Sequence, residues 1–307
     1  MPAFWIPKRL VEIGLINTAA ETPSSFVCHC EIEYESRVIA AAAESKGSDC
    51  KLVMLTGPSA SGKTTTAYKL KDALARSGTH SVVVSLDDFY KDIEEYPRLP
   101  DGTKDYENVE ALDIGEIHRC LLELIETGAS DFPEFDFKSE RRREERNRIE
   151  LQGGIVIVEG IHALNPLLTS VLPEGSVYKI YAGLREEYSH GGQRFLPTRD
   201  IRLARRLVRD NKFRGHSLEK TVQMWPLVCE GEDMYIKSFK SYADLLLDTS
   251  FSYEICVLAP YIVNMQGTLG DTVHGRQLDS LAERFSLCAA ITDKYIPPQS
   301  MLREFIG

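Results

Sequence analysis

No run of about 18 consecutive apolar residues occurs in this chain, so no membrane-spanning helix is expected. A secretory leader is not expected either, because Met1-Pro-Ala-Phe-Trp-Ile-Pro7 is short and interrupted by prolines. Positive charge is scarce: 36 Lys and Arg stand against 46 Asp and Glu, a net charge of −10. That balance argues against broad nucleic-acid binding through a basic surface. The seven cysteines show no repeated spacing. An odd, scattered set fits free thiols in a reducing compartment, with the cytoplasm as the expected location. Cys28-His29-Cys30 lacks the second ligand pair a zinc site needs, and reads as a short strand with alternating faces. Internal repeats, low-complexity tracts and an N-K-x-D guanine-reading motif are also missing.

What is present is an ordinary globular composition, 43% hydrophobic and 27% charged over 307 residues. That length allows one large domain or two small ones, with a core that needs no disulfide or metal staple. Gly57-Pro-Ser-Ala-Ser-Gly-Lys-Thr64 fits G-x-x-x-x-G-K-[ST], the phosphate-binding P-loop. Residues 51–56 before it read as a buried strand and residues 64–75 after it as a helix. In that setting the backbone of Gly57, Pro58, Ser59, Ala60, Ser61 and Gly62 can wrap a phosphate, and the helix N-terminus adds partial positive charge. Lys63 is expected on the β- and γ-phosphates of ATP, Thr64 on Mg²⁺, and Thr65 beside them in the nucleotide site.

Further strands are expected at 81–86, 155–160, 177–181, 244–248 and 253–258. Helices are expected at 35–44, 111–127, 198–213, 217–229 and 275–290. Residues 189–193 look mobile. Strands alternating with helices predict an α/β fold of the P-loop NTPase type: a mostly parallel sheet with helices on both faces and an arginine-rich helical lid. Residues 1–47 are expected to form an N-terminal extension and 48–262 the P-loop domain, with a lid at about 185–215. Residues 263–307 are expected to be a C-terminal helical extension.

Three features add chemistry to the P-loop. Asp87 ends the second strand, at the sheet edge where ligands bind, and can take or orient the proton of an attacking hydroxyl and touch Mg²⁺. Its alternative is a turn cap. Glu159 ends a four-residue apolar strand and is placed to hold the magnesium shell, the alternative being a salt-bridged structural acid. Arg202, Arg205, Arg206 and Arg209 recur at helical spacing, so their guanidinium groups share one face that can meet a phosphoryl group in transfer. The alternative is a surface helix paired with acids such as Asp200 and Asp210. The mixed charge run 138–146 reads as a solvated hairpin or helix face, or else presents an arginine such as Arg141 to substrate.

With these residues in hand, the chain resembles the uridine kinase and phosphoribulokinase family of P-loop kinases. Beyond the P-loop, Asp87-Asp-Phe-Tyr90 matches its D-x-F-Y, Glu159-Gly-Ile161 its E-G-I, and residues 198–210 with Arg214-Gly215 its arginine lid. Residues 159–166, 213–217, 224–226 and 300–307 are similar to one branch, the kinase half of bacterial nucleoside kinase-like proteins that carry a TGS module. The long N-terminal module of that branch is not expected here. The resemblance covers roughly residues 33–307. It implies ATP and Mg²⁺ as cofactors, Asp87 as catalytic base, Lys63, Arg202, Arg206 and Arg209 on the transferred group, and Thr64, Asp87 and Glu159 around the metal. It also implies that Tyr90 and Tyr106 flank the acceptor.

Departures fall on the acceptor side. Asn108 stands where uridine kinases have a base-reading histidine. Lys138-Ser-Glu140 follows Phe137 where they have T-H-S, and Met224-Trp225 replaces a glutamine and tyrosine. The expected activity is transfer of the γ-phosphoryl of ATP to a hydroxyl of a small metabolite, a nucleoside 5′-hydroxyl first. A sugar, sugar phosphate or pantothenate-like alcohol is the rival acceptor. A GTPase switch and a non-catalytic nucleotide-binding regulator are the rival classes. The expected partner is the small-molecule acceptor, with no nucleic acid and no membrane. A homo-oligomer is compatible with the sequence.

Overall fold

Leu52, Val53, Met54, Leu55 and Thr56 are all buried, which requires a strand covered on both faces. The computed structural model describes residues 7–99, 101–136, 139 and 141–307. Its first elements are β1 (Arg9–Glu12), α1 (Ile13–Ala20) and α2 (Pro23–Gly47). The apolar strand β2 (Leu52–Thr56) and α3 (Lys63–Arg76) follow, then β3 (Ser81–Ser85), α4 (Ile114–Thr127) and β4 (Ala129–Phe132). Short strands β5 (Phe135–Asp136), β6 (Arg141–Arg142) and β7 (Asn147–Glu150) lead to β8 (Ile155–Glu159), α5 (Pro166–Thr169) and β9 (Val177–Gly183). A hairpin of β10 (Glu186–His190) and β11 (Gln193–Leu196) precedes α6 (Thr198–Phe213), α7 (Leu218–Gly231) and β12 (Leu245–Asp248). The chain closes with α8 (Glu254–Val263), α9 (Val273–Phe285) and α10 (Arg303–Ile306).

Five strands form the central sheet in the order β12-β9-β2-β8-β3, and every pairing is parallel. All five carboxyl ends therefore share one edge, which collects the P-loop, Ser85 and Asp87, Glu159, Gly183 and Asp248. One face packs with α2, α3, α6, α8 and α9 around Tyr34, Leu55, Leu70, Leu207 and Phe285. The other packs with α4 and α5 around Met54, Phe89, Leu121, Val158 and Leu168. The expected α/β sheet with helices on both faces is what the chain forms.

Two expectations are corrected. Cys28-His29-Cys30 lies inside α2, not in a strand, and all seven cysteines are free thiols. Pro23 sits in the first turn of α2, where a missing N–H costs nothing. Residues 253–258 belong to α8 rather than to a sixth strand. Glu254, Ile255, Cys256, Val257, Leu258 and Ala259 are all buried, and a short helix apolar on every side has no periodicity to set it apart from a buried strand.

Residues 189–193 form the tip of the β10–β11 hairpin. The Glu12 carboxylate holds it, accepting from Ser189 Oγ at 2.7 Å and from Gly191 N at 3.1 Å. Gly191 and Gly192 have φ of 58° and 78°, the left-handed region this tight turn requires. The N-terminal segment adds β1 to that hairpin, and α1 and α2 send Ile13, Val27, Tyr34 and Val38 into the main core. Residues of the C-terminal segment, Leu278, Phe285, Met301 and Phe305, enter the same core.

Candidate active site

Gly57 has Ala182 O so close that a Cβ there would stand 2.3 Å from it, so only glycine lets β2 turn into the loop. Gly62 takes φ +82° and caps α3 in the left-handed region, with Met301 Sδ 2.5 Å from where a Cβ would be. Between them Ser61 N donates to Pro58 O at 3.1 Å, closing the turn. The Ser61 hydroxyl is buried without a hydrogen-bond partner.

Arginines of α6 hold this loop from outside. Arg202 Nη1 donates to Ser59 O at 2.8 Å, Arg205 Nη1 to Ala60 O at 3.1 Å, and Arg206 Nη1 to Ser59 Oγ at 3.0 Å. Each is also matched to an acid. Arg202 pairs with buried Glu232, Arg205 with Glu254 at 2.6 Å, and Arg206 with Asp210 at 3.2 Å. Arg209 is turned to Asp210, its Nη2 2.7 Å from Oδ1. Residues 201–210 are all buried, so α6 is a packed helix clamping the P-loop and not a solvated one.

Across the loop, Thr64, Ser85, Asp87, Asp88 and Glu159 line one cleft of about 340 Å³, closed by Tyr68, Phe132 and Pro133. Glu159 is 4% exposed. Its Oε1 accepts from Ser85 Oγ at 3.1 Å and from Thr64 Oγ1 at 3.4 Å, while its Oε2 is buried with no partner. Burial raises the Glu159 carboxyl above its ordinary range against the pull of Lys63, and neighbouring Asp87 adds to the rise. Burial, then Asp87, likewise raises Asp88. A buried carboxylate oxygen without a donor, beside a hydroxyl and a second carboxylate, suits a hard oxygen-liganded cation. Among the described residues no group of three or more His, Cys, Asp or Glu gathers as a metal site. Mg²⁺ binds through one or two carboxylates and completes its shell with phosphate and water, and Glu159, Asp87 and the Thr64 hydroxyl are donors of that kind.

The acceptor-side residues are distributed differently. Tyr90 stacks on Tyr96 at 5.6 Å and meets Phe135 edge-on at 5.9 Å. Tyr106 is 49% exposed and packs edge-on against Tyr96. Asn108 is occupied in a turn: its Oδ1 accepts from Glu110 N at 3.0 Å and its Nδ2 donates to Asp105 Oδ2 at 3.2 Å. Arg141 is exposed and faces Glu94 at 3.7 Å. Phe137 lies outside the described residues. Within that charge run it is Arg142 that turns inward, donating to Tyr90 O at 2.8 Å and Phe89 O at 3.0 Å and pairing with Asp113 at 2.9 Å.

Three further residues were not singled out as site candidates from the sequence. Ser85 precedes Asp87 by two positions and is found only through its bond to Glu159. Glu107 is pushed up to about 7, by burial first, against Arg206 and Lys63 and with Glu232 adding to the rise. His162 is 1% exposed, pushed down to about 4 by burial, and sits edge-on to Tyr235 at 6.2 Å. Its place directly after Glu159-Gly-Ile161 was the available signal.

The Phosphoribulokinase / Uridine kinase family matches this chain over residues 52–171 and 195–254. A uridine kinase of Schizosaccharomyces pombe is 27% identical over 238 residues, 76% of this chain and 48% of that protein. The chain thus spans about half the length of that relative. A uridine kinase of Clostridium botulinum (strain Okra / Type B1) is 27% identical over 198 residues, 64% of this chain and 86% of that one. The phosphoribulokinase of Rhodobacter spheroides, a solved structure, is similar at a TM-score of 0.43 and 14% identity, covering 67% of this chain and 74% of its own. The family's two matched segments take in the P-loop, the Asp87 and Glu159 strands and α6, and on them the chain belongs to the phosphoribulokinase and uridine kinase family of P-loop kinases.

Proposed function

We propose that this chain is an ATP- and Mg²⁺-dependent phosphotransferase that moves the γ-phosphoryl group of ATP to a hydroxyl of a small metabolite. The observation that carries the reading is the convergence of Thr64, Asp87 and Glu159 on one cleft beside the P-loop. Lys63 and the loop N–H groups hold the donor phosphates. Thr64 and Glu159, with Asp87, would hold Mg²⁺, which would neutralise charge on the donor phosphates. Asp87 orients the acceptor hydroxyl and takes its proton as the oxygen attacks phosphorus. Arg206, the α6 arginine bonded to the Ser59 hydroxyl, supplies positive charge at the edge of the loop. Chemistry of this kind is mostly positioning and charge stabilisation.

A nucleoside 5′-hydroxyl is the first acceptor to test. A second reading, a non-nucleoside alcohol, is favoured by Asn108, whose side chain is committed to Asp105 and Glu110. The test is ADP release with ATP and Mg²⁺ across nucleosides, sugars, sugar phosphates and pantothenate-like alcohols. We expect one class to stimulate release strongly. Asp87→Asn should keep ATP binding and lose about 10²–10⁴-fold in turnover, the range of general-base catalysis. Full turnover in that variant, or no stimulation by any acceptor, would overturn the reading.

A further inference from the structure

Residues 300–307 also brace the P-loop, and they lie beyond the segments matched to the family. Met301, Leu302 and Phe305 are fully buried in the main core. Three contacts bring this segment onto the loop. Met301 Sδ covers Gly62 and leaves no room for a Cβ there. The Phe305 ring lies 5.0 Å from the Arg205 guanidinium, which itself donates to Ala60 O. Glu304 reaches the first turn of α3, where its Oε2 accepts from Thr65 Oγ1 at 2.6 Å across 239 residues of sequence. Lys212 Nζ ties the segment to α6 by donating to Ile306 O at 2.8 Å.

That first turn is also where a phosphate is expected. Thr66 N donates to Gly62 O at 3.0 Å, the first bond of the helix, so the amides before it have no helical acceptor. Gly62 supplies no side-chain cap, and the first turn holds no acid of its own. The partial positive charge at such a helix end draws negative groups. Glu304 is the carboxylate that the fold brings to it. Among the described residues no lysine or arginine forms an ion pair with Glu304. Arg214 feels its charge, but less than it feels Asp210.

A hydroxyl has one proton to give. While Thr65 gives it to Glu304, none is left for a phosphate oxygen. A phosphate entering the loop therefore meets a hydroxyl already committed and a negative charge already seated at the helix end. Like charges at that separation repel.

We propose that Glu304 is an internal competitor of the donor nucleotide. Its carboxylate occupies the field of the α3 N-terminus, the phosphates bind against it, and residues 300–307 thereby set the affinity of the P-loop for its nucleotide. The inference rests on the donor half of the proposed function alone. The coupling is reciprocal: the factor by which Glu304 weakens nucleotide binding is the factor by which bound nucleotide weakens the Thr65–Glu304 contact. Buried Met301 and Phe305 hold the segment on both sides, which leaves the Glu304 side chain as the part that yields.

The test is calorimetric titration of ADP, without magnesium, into the whole chain. Glu304→Gln keeps the volume and an oxygen for the Thr65 hydroxyl but removes the charge. It should bind ADP about three- to tenfold more tightly than wild type at low salt. Glu304→Ala should shift affinity in the same direction, so the outcome does not hang on the folding of one variant. Near 1 M salt the gap should close to within about twofold, because the Debye length there is about 3 Å. Inorganic pyrophosphate has no base or sugar and should show the same gap. Unchanged or weaker ADP binding in both variants overturns the proposal. A gap that ignores salt, or that is absent with pyrophosphate, overturns it as well. All of these readouts are of binding, so ADP release that no acceptor stimulates would sink the phosphotransferase reading without touching them.

Discussion

Glu254→Gln tests whether α6 is held on the P-loop by buried charge. Arg205 is 0% exposed at its side chain and Glu254 1%, and their Nε–Oε2 distance is 2.6 Å. The same guanidinium donates to Ala60 O of the P-loop and to Thr249 O, and lies 5.0 Å from the Phe305 ring centroid. Glutamine keeps the volume but leaves a buried guanidinium without its counter-charge. Breaking one partner of such a pair costs about 3–5 kcal/mol. With an unfolding entropy of about 2.1 cal/mol/K per residue, 307 residues convert that loss into a fall of about 5–8 °C in Tm. The double variant Arg205→Met, Glu254→Leu removes both charges and should recover most of the loss, since apolar replacements of buried pairs are often neutral or better. It should not recover nucleotide affinity, because Ala60 O still lacks its donor. Thermal melts read the first effect and ATP-analogue titration the second. A single variant melting within about 1 °C of wild type would refute the reasoning. So would a double variant no more stable than the single.

Gly62→Ala should weaken ATP binding and destabilise the chain by about 1–2 kcal/mol, since the residue holds φ +82° and its Cβ would strike Met301; titration and melting check both. Glu159→Gln should abolish stimulation of ADP release by Mg²⁺ while leaving metal-free nucleotide binding in place, and unchanged Mg²⁺ dependence would count against its place in the shell. Glu107 predicts a pH effect. Its carboxyl is raised from 4.5 to about 7, so the folded state keeps a proton that the unfolded chain has already lost. Its contribution to stability is full below the unfolded value, falls as pH rises, and is gone above the folded value, about 3 kcal/mol in all. Urea midpoints across that window should show the slope in the wild type and lack it in Glu107→Gln.

Much of this architecture can be read from local patterns. The five sheet strands are short apolar runs ending at turn or acidic residues. Asp113 and Gly128 bound α4 as cap chemistry requires, with Asp113 Oδ1 accepting from Glu116 N at 3.0 Å and Gly128 at φ +84°. The P-loop is legible because its chemistry needs glycine, lysine and threonine at set spacing within about eight residues. The two misread segments lack such spacing information. The run at 28–30 is too short to carry a period, and α8 is buried on every side, which leaves no polar face to reveal a helical repeat.

Site contacts made across long sequence separations are of another kind. Arg202 and Ser59 are 143 residues apart, Arg205 and Ala60 145, and Thr64 and Glu159 95. The spacing of the arginines put them on one face and offered Asp210 as a partner, but it could not say that Glu232 and Glu254 would claim Arg202 and Arg205 there. It offered Arg141 for the site, where packing turns Arg142 inward and leaves Arg141 on Glu94. Nor did residues 1–47 or 263–307 announce that Tyr34 would donate to or accept from Thr66 at 2.7 Å, or Thr65 donate to Glu304 at 2.6 Å. The positions of the five sheet strands and the phosphate loop follow from local steric and hydrogen-bonding rules that act within a few residues. Which charges face a ligand and which face one another was decided by packing, because burial, counter-charge and distance exist only once the chain has closed on itself.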